Sequence, residues 1–467
     1  MTASIFRDID AFRDRIAVIE PSSGEFSYGD LLNRADAVGA AARGGSLALI
    51  VCKNSIDCLA GYVGLSRAGI PALLVHHGIK PQHLTDIIAR FRPTYVYAPR
   101  AATVGGETFV SGDYALVSTG HEPGFQIHGD LGLLLGTSGT TGSRKFVRLS
   151  WANVASNASS IAEYLAIKGD DRAITTMPMS YSYGLSIVNS HLVRGAALVM
   201  TEVSLVSPDF WAAVRAHRVT TFGGVPFIYE MLKKLRFDRM DLPSLRVLTQ
   251  AGGRLDPKLI AEFADICARK GIAFIVMYGQ TEATARISYL PWESACAKIG
   301  SIGVAIPGGS LALVDEGGRE IKENRVPGEL LYRGENVSMG YAEGWADLAL
   351  GDENRGVLST GDIALRDEDG FFFITGRKKR FLKVYGNRVN LDEVERILQE
   401  QGFTVACTGT DDHLVVHVSG GADPAAVKAV LRDAISVPPN AVRAVAVDGI
   451  PRSESGKIDY AALARTA

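Results

Sequence analysis

From about residue 45 to about residue 280, short apolar, β-prone stretches take turns with longer stretches of helical spacing. Residues 46–52 are strand-like, 55–67 have helical spacing, and 94–98 return to strand. The alternation recurs at 173–177, 196–201, 226–235, 246–250 and 256–270. A strand followed again and again by a covering helix must bury both faces of its sheet. The pattern therefore predicts parallel sheets packed under helices. From about 300 to 375 the texture changes to Gly-punctuated strands at 310–314, 328–333 and 371–375. That predicts a β-rich, barrel-like or antiparallel subdomain. The basic cluster Arg377-Lys378-Lys379-Arg380 then leads into a small α+β unit. It is predicted to hold a helix from Asn390 to about Gln399, a strand at 414–418, a helix at 424–435 and a strand at 442–447. The fold class expected is multidomain α/β and α+β. Residues 1–376 form the large domain and 377–467 a small mobile one. With 467 residues, 47% of them hydrophobic and 21% charged, the chain can fill more than one core.

One loop points to chemistry. The apolar run Leu131–Gly136 leads into Thr137-Ser138-Gly139-Thr140-Thr141-Gly142-Ser143-Arg144-Lys145. Glycines let backbone N–H groups approach a phosphate closely, the hydroxyls add donors, and Lys145 adds a full charge. The loop therefore suits a polyphosphate. It lacks the Gly-Lys-Ser/Thr spacing of a Walker A loop. Three further segments stand out: Tyr278-Gly279-Gln280-Thr281-Glu282, Ser359-Thr360-Gly361-Asp362, and Pro451 to Lys457. Gly376-Arg377 and Lys383…Gly386 lie between the last two.

With these motifs in this order, the chain resembles the adenylate-forming superfamily of acyl-CoA synthetases, peptide-synthetase adenylation domains and luciferases. The resemblance covers nearly the whole length. It implies ATP-dependent activation of a carboxylate as an acyl-adenylate, with positioning and charge neutralisation as the protein's task. By resemblance, Thr137–Gly142 and Lys145 hold the β- and γ-phosphates, Thr281 contacts the α-phosphate and Glu282 ligates Mg²⁺, which favours hard oxygen donors. Asp362 takes the ribose hydroxyls, assisted by Arg377. Tyr278 and Gly279 offer the adenine a face, with Gly252 and Gly253 along its other side. Lys457 bridges the carboxylate and α-phosphate oxygens. Lys379 marks the hinge on which the small domain turns after adenylation, and Lys383 and Gly386 then line a pantetheine tunnel. The phosphate loop departs from the family's Pro-Lys-Gly ending: here it reads Arg144-Lys145-Phe146. The small domain is also shorter than is usual.

The acid pocket is expected around Tyr181, Ser182, Gly224 and Arg286. No aspartate lies in residues 177–185, where amino-acid-activating relatives pair one with the α-ammonium. A buried ammonium without a counterion is costly. The substrate expected is a fatty, aryl or other simple acid. Arg286 has two readings, a second anionic group on the substrate or a structural salt bridge. His191 reads as packed within its helix. The acceptor expected is the thiol of CoA or of an acyl or peptidyl carrier protein's phosphopantetheine. An amine acceptor is the alternative within enzymes, and light emission by a luciferase a further one. A catalytically silent nucleotide-binding relative is the rival outside them; Lys145, Glu282, Asp362 and Lys457 together argue against it.

A net charge of −2 without a basic block argues against nucleic acid or an anionic membrane as partner. The five scattered cysteines read as reduced thiols, and no run is apolar enough to span a bilayer. A cytoplasmic location is the expectation.

Overall fold

Several helices start where polar side chains can satisfy their first N–H groups. Ser150 ends the strand Phe146–Ser150 and caps the helix Trp151–Tyr164. Its hydroxyl accepts from the Asn153 N–H, and the Asn153 side chain accepts from the Ser150 N–H. Ser55 caps Ile56–Arg67 through the Cys58 N–H. Asp256 and Pro257 open Pro257–Lys270, and Gly271 closes it in the left-handed conformation. The helices Leu391–Glu400 and Pro424–Ala434 begin within a residue of where the sequence predicts them.

The computed structural model describes residues 5–465 other than 43, 103–106, 122–123, 137–144, 379, 385–386, 435–437, 439–440 and 453–457. The chain divides into two compact units, residues 1–137, 143–310 and 333–358, and residues 311–332 and 359–467.

The first unit holds two large sheets. In the eight-stranded one, Leu131–Gly136, Ala72–His76, Ala48–Cys52 and Tyr95–Pro99 lie side by side in parallel. Their side chains are nearly all buried, as both-face burial requires. Phe146 begins an antiparallel neighbour and packs edge-on against Phe91, centroids 5.1 Å apart. The residue that departs from the family's loop pattern is thus a core side chain. Burying it is worth about 2 kcal/mol. In the nine-stranded sheet, Arg172–Ile174, Thr221–Gly224, Val247–Gln250 and Ala273–Tyr278 run in parallel. Ser288–Tyr289 returns antiparallel beside Ala273–Tyr278.

The β-rich stretch is not one subdomain. Gly340–Ala342 leaves it and pairs with Phe146–Ser150 in the first unit. The second unit keeps a five-stranded sheet in the order Glu320–Ile321, Ser310–Val314, Gly328–Arg333, Val357–Arg366, Phe372–Arg377. This sheet stays open: its first and last strands are not neighbours, so the expected barrel does not close. Beyond it come a two-stranded ribbon and a three-stranded sheet, Thr404–Thr410, His413–Ser419 and Val442–Ala446. The helix Leu391–Glu400 supplies Leu391, Val394 and Leu398 to one apolar core with Val405, Leu414 and Val416.

Arg380, the last residue of the basic cluster, is only partly exposed. It pairs with Asp392 at 2.9 Å and Glu395 at 2.7 Å, and its Cζ lies 3.8 Å from the Tyr460 ring centroid. Burial raises the pKa of both carboxyls, and Arg380 opposes the rise. The boundary expected between 376 and 377 falls inside the second unit. Among the described residues no helix is long and apolar enough to cross a membrane. Cys52, Cys58, Cys267 and Cys407 are buried, Cys296 is exposed, and all five are free thiols.

Candidate active site

The strand Ala273–Tyr278 delivers the Tyr278–Glu282 motif to its C-terminal end, where parallel sheets usually place ligands. Thr281–Ala283 then forms one 3₁₀ turn. Thr284 follows at φ +65° and ψ −59°, and the Ala285 N–H reaches the Ala283 carbonyl at 2.7 Å. This is a γ-turn of the strained, positive-φ kind, unusual for a β-branched residue. Buried Asn336 holds it. Its amide donates to the carbonyls of Ala283 (2.8 Å) and Arg286 (2.9 Å), and its own carbonyl accepts from the Thr284 hydroxyl (2.7 Å). Strain kept by surrounding bonds fixes the direction of the flanking side chains, here Glu282 and Arg286.

Glu282 is partly exposed. Its Oε1 accepts from the Tyr341 hydroxyl at 2.8 Å. Burial raises the Tyr341 pKa, and the Glu282 charge raises it further. Lys145 is exposed and pairs with Glu343 at 2.6 Å. Tyr341 and Glu343 were not anticipated from sequence. Both come from the segment around Gly340–Ala342, which only sheet pairing brings beside Phe146.

Residues expected in the acid pocket lie against the motif. Ser182 Oγ lies 3.2 Å from Thr281 Oγ1. A Cβ on Gly252, at φ +81°, would stand 2.7 Å from the Tyr181 hydroxyl oxygen, so only glycine fits there. A Cβ on Gly253 would touch Pro226 at 3.2 Å. One on Gly279 would overlap the Ala285 carbonyl at 1.8 Å, which ties that glycine to the tight turn. The Gln280 amide donates to the Tyr278 hydroxyl at 3.1 Å. Gly224 lies on the buried strand Thr221–Gly224 against Ile228 and Tyr229. Burial pushes the Tyr181 hydroxyl up to about 12, with the Arg286 charge pulling against it.

Arg286 is fully buried and makes no salt bridge among the described residues. Nη2 donates to Ser186 Oγ and Nη1 to Met277 Sδ, both at 3.0 Å, and Cζ lies 4.0 Å from the Tyr183 ring centroid. Its Nε–H finds no acceptor among the described residues. His191 is buried, as read from sequence, with Nδ1 2.8 Å from the Ile187 carbonyl oxygen.

The second unit contributes its own pair. Asp362 and Arg377 stand directly opposite each other across two antiparallel strands, with Oδ1 2.9 Å from Nε. Asp362 is a buried strand residue. Lys383 lies on the strand Phe381–Val384. Thr137, Ser138, Gly139, Thr140, Thr141, Gly142, Lys379, Gly386 and Lys457 lie outside the described residues.

Among the described residues no three His, Cys, Asp or Glu side chains converge into a metal cage. One carboxylate, Glu282, beside a polyphosphate is a donor set that suits Mg²⁺, which takes one or two carboxylates plus phosphate oxygens and water.

Several known proteins are similar to this chain. Indoleacetate–CoA ligase of Aromatoleum aromaticum is 31% identical over 271 residues, 57% of this chain and 52% of the ligase. Sulfoacetate–CoA ligase of Cupriavidus necator is 30% identical over 342 residues, 70% of this chain and 65% of the ligase. The chain thus spans between about half and two-thirds of the length of these curated relatives. The structure of O-succinylbenzoate coenzyme A synthetase from Bacillus subtilis, in complex with ATP and magnesium ion, superposes with a TM-score of 0.79. It is 19% identical, covers 97% of this chain and 98% of its own, and shares the fold. A family model described as AMP-binding enzyme matches residues 5–342, well over half of the sequence, and the chain belongs to that family.

Proposed function

We propose that the protein joins a small carboxylic acid to CoA with ATP. A carboxylate oxygen attacks the α-phosphorus, the bond to the bridging oxygen of pyrophosphate breaks, and an acyl-adenylate forms. The CoA thiolate then attacks the acyl carbon, and AMP leaves with the bonding electrons. The observation that carries this reading is the 3.2 Å contact between Ser182 and Thr281. It joins the pocket helix to the phosphate motif, and the reaction needs the acid and the α-phosphate side by side.

In this reading Thr281 orients the α-phosphate and Lys145, released from Glu343, neutralises the outer phosphates. Glu282, aimed by Tyr341, holds Mg²⁺, which offsets charge on the departing pyrophosphate. Asp362 and Arg377 hold the ribose. Lys457 serves adenylation and the Lys383–Gly386 segment serves thiol transfer, with 377–467 turning about Lys379 between them. Tyr181, Ser182 and Gly224 line the acid. A buried guanidinium nearby opposes an α-ammonium, which favours acids without one. The names of the indoleacetate and sulfoacetate ligases support that class, as the ATP and magnesium complex supports the cofactors.

Acid-dependent ATP–pyrophosphate exchange tests the first step, and CoA-dependent AMP release tests the second. Glu282→Ala should cut exchange by roughly 100-fold or more, with partial recovery in excess Mg²⁺. Asp362→Ala should act mainly through the KM for ATP. Near-wild-type exchange in both variants would remove the assignment.

A further inference from the structure

We propose that Glu343 is a built-in stand-in for the outer phosphates of ATP: it holds Lys145 until the nucleotide takes the lysine over, and so sets how tightly ATP and pyrophosphate bind. This rests on the ligase reading for the role of Lys145 and goes beyond it in giving Glu343 one. Lys145 ends the phosphate loop, and its Nζ lies 2.6 Å from Glu343 Oε1. A carboxylate and a phosphate offer an ammonium the same thing, anionic oxygens at hydrogen-bond distance. Two such anions on one lysine repel each other. Glu343 and the outer phosphates therefore compete for the same cation.

The fold sets up this contact. Phe146 pairs with Ala342, and Val147 with Tyr341, in one antiparallel register. One step further along that register, Lys145 stands opposite Glu343. The main chain of Glu343 is pinned on both sides. Its N–H donates to Asp347 Oδ2 at 2.6 Å, and its carbonyl accepts from Arg90 Nε at 3.0 Å. Arg148 fastens the same segment through the carbonyls of Met339 and Tyr341. From this fixed root the Glu343 carboxylate meets Lys145, while the Tyr341 hydroxyl meets Glu282. One segment thus touches both the lysine and the carboxylate that the ligase reading gives to Mg·ATP. The Lys145 side chain is 48% exposed and that of Glu343 54%, and this sets the size of the effect. An exposed ion pair is weak. It yields to a polyphosphate of several charges, yet it still lowers the affinity. AMP has no outer phosphates and does not compete.

Calorimetric titration of the full chain with Mg·ATP, pyrophosphate and AMP tests the idea. Glu343→Gln keeps the shape of the side chain and removes its charge. It should bind Mg·ATP and pyrophosphate about two- to fivefold more tightly than the wild type, with AMP unchanged. Lys145→Met should weaken Mg·ATP binding, and Glu343→Gln added to it should bring no gain, because the effect runs through that one pair. The direction excludes a structural role, since losing a structural contact does not tighten a ligand. Unchanged or weaker Mg·ATP binding in Glu343→Gln overturns the proposal. So does an equal gain for AMP, or an equal gain in the Lys145→Met background. Acid-dependent exchange is read separately. If no acid supports exchange and the gain for Mg·ATP is still seen, the ligase reading falls and the stand-in remains. If exchange is normal and the gain is absent, the stand-in falls and the ligase reading remains. A wild type that binds neither Mg·ATP nor pyrophosphate overturns both.

Discussion

Arg148 and Arg286 are both fully buried arginines of the first unit, and they live in opposite surroundings. Arg148 donates to the carbonyls of Tyr341 (2.9 Å), Met339 (3.0 Å), Gly351 (3.2 Å) and Leu350, and pairs with Glu353. It fastens the segment around Gly340–Ala342, and so carries Tyr341 toward Glu282. Arg286 has a hydroxyl, a thioether and a ring. The difference teaches what a buried charge is for. Where the fold gathers acceptors, the charge is a structural clamp. Around Arg286 the fold gathers only a hydroxyl, a thioether and a ring face, none of which balances the charge.

The largest expected effect would break or keep this contrast outright. Arg148→Met leaves several buried carbonyls unpaired and should cost about 3–5 kcal/mol, read from denaturant midpoints. Arg286→Met removes a charge with no counterion and should stay within about 1 kcal/mol of the wild type, or gain stability. Equal losses would end the comparison. A smaller effect sharpens it. Glu353 is more than half exposed, so Glu353→Gln should cost only about 1 kcal/mol, with the carbonyls still holding Arg148. A loss as large as that of Arg148→Met would make the ion pair, not the carbonyls, the clamp.

The smallest effect is in the pH dependence. Burial holds the pKa of His191 below its ordinary value, and the Ile187 carbonyl contact opposes this. The unfolded chain then binds a proton more readily than the folded one. This contribution to stability is present above about pH 6.5 and is lost as pH falls toward the depressed folded value. Thermal melts from neutral pH downward should show an acid limb that flattens in His191→Gln. An unchanged limb would mean that the pocket helix carries no buried titrating charge.

Much of the fold was legible in the sequence because its signals are local. Ser55, Asp256-Pro257 and Gly271 mark helix ends through bonds made within a turn, and the helices obey them. The strands at 246–250 and 310–314 were legible from β-prone runs bounded by turn residues. The first strand, Ile16–Glu20, was not, since its parallel partner Ala197–Val199 lies far along the chain. The strand Gly340–Ala342 was not legible for the same reason: nothing local reveals that its partner is Phe146–Ser150. Of the two readings of the β-rich stretch, the antiparallel one holds and the barrel-like one does not, because closure depends on register, which alternation does not encode.

For the site, residue order alone carries the chemistry on offer. It gave the order of the motifs, the carboxylates Glu282 and Asp362, the cation Lys145 and the missing aspartate near Tyr181. Who faces whom depends on the folded chain: Tyr341 on Glu282, Glu343 on Lys145, Arg377 on Asp362, and nothing of opposite charge on Arg286 among the described residues. Residue type fixes charge and hydrogen-bonding capacity. Burial and partnership are set by which strands pair and which helices cover them, and those choices join residues that lie far apart in the chain.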